Sequence, residues 1–253
     1  MRALLLCLAS VCVSFAAPTI ADEPPSPRAI IERALAAHGG DHWLDPGTLV
    51  LSGHAEFYDP KTGEVRSCAD DYRMWREMDP GRTVAHGADG KVRIVAKSGD
   101  RVIFEVGYDG ETTWTQDGIL PKAQADAYWA TNFGFGIIRS ALNEGFTLER
   151  APPRDISGHM VELVRIIDLQ GQRTLFGFDT ASGFIRYIGF DSPRGWHERT
   201  YDDFVRLPES GWVQAREVTL FYDGVKSNTV YWREVETGVA VDPLVFTPPQ
   251  ENE

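Results

Sequence analysis

From residue 48 onward, apolar residues recur at every second position in short runs, and one apolar helical stretch at residues 121–143 interrupts them. A period of two sends alternate side chains to opposite faces of a strand. Turn chemistry separates the runs: Asp59-Pro60-Lys61-Thr62-Gly63, Ala88-Asp89-Gly90, Tyr108-Asp109-Gly110, Thr180-Ala181-Ser182-Gly183, Glu209-Ser210-Gly211 and Tyr222-Asp223-Gly224. Asp-Gly between alternating runs is a strong hairpin signal. The pattern predicts strands near 48–58, 64–78, 82–87, 91–97, 101–108, 111–116, 145–150, 159–169, 172–179, 184–190, 196–206, 212–222 and 227–235. So many sequential hairpins predict a mainly β (α+β) chain with one large antiparallel sheet, curved to protect its apolar face.

Two segments break the strand period. Residues 28–37 place Ile30, Ile31, Ala34 and Leu35 at helical spacing, with Ser26 as N-cap, Pro27 at the first position and Gly39-Gly40 as the stop. The stretch 121–143 begins at Pro121 and carries Tyr128, Trp129, Phe133, Ile137, Ile138, Ala141 and Leu142. Gly134 and Gly136 predict two short helices with a break. Such a segment either plugs the open side of the sheet as core or covers a cavity as a lid.

The amino terminus reads as an export signal. Arg2 precedes an apolar run at 3–16, and Thr19-Ile20-Ala21 offers small residues for cleavage near Ala21. The run is shorter than the roughly 20 residues that span a bilayer. No small residue precedes Cys7 or Cys12, which disfavours a lipid anchor. The expectation is a signal peptide at 1–21, a single domain at 22–253 and a periplasmic location. Losing Arg2 and no acidic residue takes the net charge from −12 to −13. That acidity excludes binding to a nucleic-acid backbone, which needs clustered Lys and Arg. Cys68 remains the one cysteine after cleavage. Its acidic neighbours Asp70 and Asp71 lower its reactivity, and it is expected to be buried or half-buried.

No catalytic group stands out. There is no Gly-x-Ser-x-Gly elbow and no phosphate-binding glycine loop. His38 and His42 have metal-ligand spacing, and His54 follows, but Gly39-Gly40 breaks the helix between them. His38 is expected at the helix C-terminus, meeting the negative end of the dipole. No metal, cofactor or catalytic residue is assigned, and the chain is expected not to be an enzyme.

Three stretches stand in order along the chain. Ala37-His38-Gly39-Gly40 precedes the strand reaching Gly53, and Tyr108-Asp109-Gly110-Glu111-Thr112-Thr113-Trp114 precedes the helical stretch. The C-terminal course runs through Tyr201-Asp202-Asp203-Phe204 and Gly211-Trp212-Val213-Gln214-Ala215 to Val241-Asp242-Pro243-Leu244-Val245-Phe246-Thr247-Pro248-Pro249. In these stretches the chain resembles the outer-membrane lipoprotein-sorting (LolA-like and LolB-like) superfamily. The resemblance implies an unclosed half-barrel with a helical lid around an apolar cavity. It also implies an arginine that holds the lid closed; Arg73, Arg76, Arg93 and Arg139 are all available.

Within that implied cavity, the inward sets expected are Val102, Phe104 and Val106; Phe176 and Phe178; and Phe184, Ile188 and Phe190, with Trp75, Trp114 and Trp129 as flat wall. The ligand-binding candidates are Trp75, Phe104, Trp114, Trp129, Phe133, Phe176, Phe178 and Phe190. The implied activity is carriage of a lipid or an acylated protein by a monomer. The alternatives are an envelope sensor or adaptor that binds a partner protein, and a metal-dependent hydrolase.

Overall fold

The computed structural model describes residues 23–249; the expected signal peptide lies outside them. Thirteen strands form one antiparallel sheet: β1 Thr48–Tyr58, β2 Val65–Glu77, β3 Lys91–Ser98, β4 Arg101–Tyr108, β5 Thr113–Thr115, β6 Gly118–Ile119, β7 Thr147–Ile156, β8 His159–Ile167, β9 Arg173–Asp179, β10 Ile185–Ser192, β11 Gly195–Arg206, β12 Val213–Tyr222 and β13 Val225–Thr237. Their order is β6-β5-β4-β3-β2-β1-β13-β12-β11-β10-β9-β8-β7. The chain meanders outward from β1 to β6, crosses to β7 at the far edge, and meanders back until β13 pairs with β1. The edges β6 and β7 do not pair, so the half-barrel is unclosed.

This topology explains the helical interruption. Residues 121–143 connect the two edges, and the route runs over the concave face. Helix α3, Lys122–Asn132, packs its buried Ala125 and Trp129 on Val92 of β3 and Val106 of β4. A 3-10 helix, Phe135–Ser140, then drops into the core with Ile137 and Ile138 fully buried. The break at Gly134 is steric: a Cβ there would sit 2.7 Å from the Phe190 ring, and one on Gly136 would sit 2.8 Å from the Arg82 guanidinium.

Helix α1, Pro27–His38, begins where expected, with Ser26 Oγ accepting from Ala29 N at 3.2 Å. It buries Ile30, Ile31, Ala34 and Leu35. Gly39 ends it with φ 131°, and the short helix α2, Asp41–Leu44, follows with Trp43 buried.

The strand expected at 82–87 does not form. The loop between β2 and β3 instead wraps the buried Arg82 guanidinium. Arg82 donates to the carbonyls of Val84 at 2.8 Å, Ala85, and Gly87 at 3.2 Å. Carbonyls turned onto a cation are lost to a ladder. The loop also reaches the opposite wing, where Ala85 N donates to Asp168 at 2.7 Å and His86 N to Gln172 at 2.9 Å. Strand β7 runs past the expected residue 150 through Pro152-Pro153, which an edge strand with a bulge tolerates.

Candidate binding cavity

Between the sheet and the helical segment lies a cavity of about 800 Å³. That falls inside the ~300–1,000 Å³ range of small-molecule sites. Its walls are the concave positions of two groups of strands. Leu49, Leu51 and Phe57 of β1, Tyr72 and Met74 of β2, Ile94 of β3 and Phe104 of β4 form one wall. Tyr201 of β11, Val218 and Leu220 of β12, and Val230 and Trp232 of β13 form the other. Tyr128, Thr131, Phe133 and Phe135 of the crossing segment make the roof.

The two ends differ. The base is closed by Trp43 and Trp212, whose ring centroids are 6.0 Å apart. Arg139 lies 4.1 Å over the Trp43 ring and donates Nε to Trp43 O at 2.9 Å. The other end opens between α3 and a rim that includes the exposed Arg66, Pro193 and Arg194. His38 belongs to the base and is not a cation at a helix end. Its Nε2 accepts from Ile185 N at 3.0 Å, and burial lowers its pKa from 6.5 to about 4. A backbone donor and a desolvated ring both demand neutral imidazole, and together they outweigh the helix dipole.

The base also carries charge. Arg76 lines the cavity and donates Nη2 to Asp89 at 2.6 Å; Arg82 reaches the same oxygen at 2.7 Å. Burial pushes the Asp89 carboxyl up, but Arg76 and Arg82 outweigh it and hold it below its ordinary value. Arg139 has no ion pair among the described residues. Burial and then Arg76 lower its pKa to about 9. Burial raises Tyr72 and Tyr201 to about 12, so both phenols stay neutral.

Besides the Arg139 bond to Trp43 O, four hydrogen bonds hold the crossing segment down. Arg199 of β11 donates Nη2 to Asn132 O at 2.8 Å, at the negative end of α3. Tyr222 donates to Asn132 Oδ1 at 3.1 Å, Trp129 Nε1 to Thr113 Oγ1 at 2.8 Å, and Arg28 to Leu142 O at 3.0 Å. The arginine tying sheet to lid is therefore Arg199, outside the four expected. Arg73 and Arg93 line a shallow pocket on the convex face, while Arg76 and Arg139 sit at the cavity base.

The predicted ligand-wall residues separate into three groups. Phe104 and Phe133 line the cavity. Trp75 lines the convex pocket with Arg73 and Arg93, because its neighbours Met74 and Arg76 take the concave positions of β2. Trp114 also lies on the convex side, where it is buried: adjacent Thr113 binds the lid, and the Trp114 ring covers Gly107, where a Cβ would come within 2.1 Å. Trp129, Phe176, Phe178 and Phe190 are buried in packed core. Val102 faces the convex pocket, since a register shift between Ala96 and Lys97 breaks the alternation on β4.

The residues missed include Tyr72, Met74, Val218 and Arg199. Strand parity groups Tyr72 with Met74 and Val218 with Leu220, but it does not say which face is concave. Cys68 is exposed on β2, against the burial expected of it. His42 Nε2 contacts Thr237 Oγ1 at 3.1 Å and His54 stacks on Tyr231 at 4.8 Å, so His38, His42 and His54 are each engaged elsewhere. Among the described residues no group of three His, Cys, Asp or Glu side chains is placed to hold a metal ion.

No family model matches the sequence, and no curated protein matches it. Solved structures do match the fold. A protein of the DUF1329 family from Desulfovibrio piger superposes with a TM-score of 0.58 at 9% identity, covering 87% of this chain and 96% of that one. A domain from Vibrio parahaemolyticus described as an outer membrane lipoprotein-sorting protein domain gives 0.54 at 11% identity, covering 86% and 95%. A LolA superfamily protein from Nitrosomonas europaea gives 0.52 at 11% identity, covering 88% and 98%. The thirteen-stranded unclosed sheet with its crossing helical segment therefore has the LolA-like half-barrel fold.

Proposed function

We propose that this chain is an exported, non-catalytic binding protein that carries a lipid or acylated ligand in its half-barrel cavity. The observation that carries the reading is the cavity of about 800 Å³, walled by alternate apolar residues and roofed by a segment tied at Asn132. Each methylene moved into such a wall contributes roughly 0.8 kcal/mol. A long chain therefore gains on the order of 10 kcal/mol before ordering costs, without any catalytic group. The similarity to a lipoprotein-sorting domain and a LolA superfamily protein supports the same reading. The reading takes residues 1–21 as the export signal and 22–253 as one carrier domain, placed in the periplasm.

Native mass spectrometry with lipid extraction, on protein purified without detergent from its own envelope, tests the proposal. A co-purified alkyl ligand is expected. Val218→Trp, which fills the cavity from β12, should abolish binding of a fluorescent alkyl reporter while the protein stays folded. An empty protein that also refuses fatty acids and phospholipids would overturn the reading.

A further inference from the structure

The cavity carries its buried charge at the closed end. Arg76 is directly opposite Leu49 in the β1–β2 register, and both line the base with Arg139. Asp89 is the carboxylate paired with Arg76 and Arg82, so three guanidinium groups there face one carboxylate among the described residues. Arg76 Nε is buried with no hydrogen-bond partner, and Arg139 has only its Nε engaged, on Trp43 O. Aromatic faces take part of the load: Phe133 lies 4.9 Å from the Arg76 guanidinium and Trp43 lies 4.1 Å from that of Arg139. Arginine does not escape burial by losing its proton at neutral pH. Unmatched buried cations are costly unless an anion shares the site. From base to rim the wall is then mostly apolar, through Leu51, Met74, Phe104, Val218 and Val230, with the phenols of Tyr72 and Tyr201 and with Arg199, whose guanidinium is engaged on Asn132 O.

We propose that the cavity takes a free single-chain amphiphile with an anionic oxygen head, a carboxylate or a phosphate monoester, which enters head-first and settles between Arg76 and Arg139. The inference rests on the alkyl-binding reading above and narrows it. The acyl chain of a lipoprotein enters methyl end first, and would set its least polar atoms against two cations. A free amphiphile matches charge at the base and alkyl chain along the wall. Arg66 and Arg194 at the rim then serve the approach and not the bound head.

Delipidated full-length protein, titrated with dodecanoate, dodecyl phosphate, dodecanol and dodecyltrimethylammonium against a fluorescent alkyl reporter, tests this. At least one anion should bind roughly tenfold or more tighter than dodecanol, as a charge-assisted hydrogen bond allows, with the cation weakest. Which anion leads identifies the head group, and either supports the inference. In Arg139→Gln the ratio of anion to dodecanol affinity should shrink to about threefold or less, and it should shrink more there than in Arg66→Gln. The four-ligand series on the wild type stands even where Arg139→Gln does not fold. Equal binding of all four, or an advantage lost in Arg66→Gln and kept in Arg139→Gln, overturns head-first binding and leaves the alkyl cavity standing. Binding of none overturns the alkyl cavity and this inference with it.

Discussion

The two wings of the sheet carry the same alternation and enclose different things. In the wing from β7 to β10, the concave residues Val164, Ile166, Phe176, Phe178, Ile188 and Phe190 are fully buried. The 3-10 helix Phe135–Ser140 fills that space, with Phe135 5.2 Å from Tyr201 and 6.0 Å from Phe176 between ring centroids. In the part formed by β1 to β4 and β11 to β13, equally apolar concave residues face the cavity. Helix α3 covers that volume from above without entering it. Composition does not separate the wings. What separates them is whether the crossing segment descends onto the sheet or bridges over it.

Truncation should break this comparison most sharply. Phe176→Ala removes a fully buried ring from a filled region and should cost ~3–5 kcal/mol. Phe104→Ala borders space that already exists and should cost under ~1.5 kcal/mol. Urea midpoints measure both, and equal losses would mean that the two wings are packed alike.

Acid comes next. Burial holds His86 to about 4 against the opposing pull of Asp168, and burial with Arg199 holds His197 to about 2; His38 sits at about 4. The rings of His86 and His197 each stack 4.3 Å from Phe190, in the filled wing. These folded-state values lie below the unfolded value near 6.5, so the unfolded chain binds more protons in acid. Their stabilisation is complete above pH 6.5 and is lost as pH falls from 6.5 towards 4. The loss is ~1.4 kcal/mol per pH unit for each such group. Denaturant titrations at pH 7.5 and 4.5 should show the drop, and a flat profile would place these rings in contact with water. Because His38 belongs to the base of the open region, His38→Gln should flatten part of the slope without filling or emptying the other wing.

The roof should loosen more easily than the plug. Arg199→Met removes the donor to Asn132 O and should lower the local opening energy of α3 by ~1–2 kcal/mol. Amide exchange should quicken in Lys122–Asn132 and stay slow in Phe135–Ser140; uniform quickening would show that the two halves open as one. The smallest effect concerns the convex face. Trp75→Ala should change alkyl-ligand affinity less than about twofold, because Trp75 lies across the sheet from the cavity. A tenfold loss would move the site to the other face.

Most of the sheet was legible. Strand β1 spans the expected 48–58, and the helix expected at 28–37 appears as Pro27–His38 with its Ser26 cap. These features are set by residues adjacent in sequence, through period, capping and turn chemistry. The loop at 82–87 was not legible. Its alternation mimics a strand, while a single buried arginine recruits its carbonyls. The aromatic wall was half legible for a related reason. Alternation divides residues between two faces but does not say which face is concave. One register shift, as between Ala96 and Lys97, exchanges them.

The sequence by itself determined the mainly β class, most of the hairpins, the helix at the start and the single interruption. Each depends on interactions spanning a few residues, so local pattern is enough. Only the tertiary structure decided that β13 pairs with β1, that the interruption must travel from edge to edge, and which concave residues meet a cavity and which meet a plug. It also decided that Arg76, Arg82, Asp89 and Arg139 share one buried base. Contacts between residues far apart in the chain set burial and local charge, and no periodicity along the sequence encodes either.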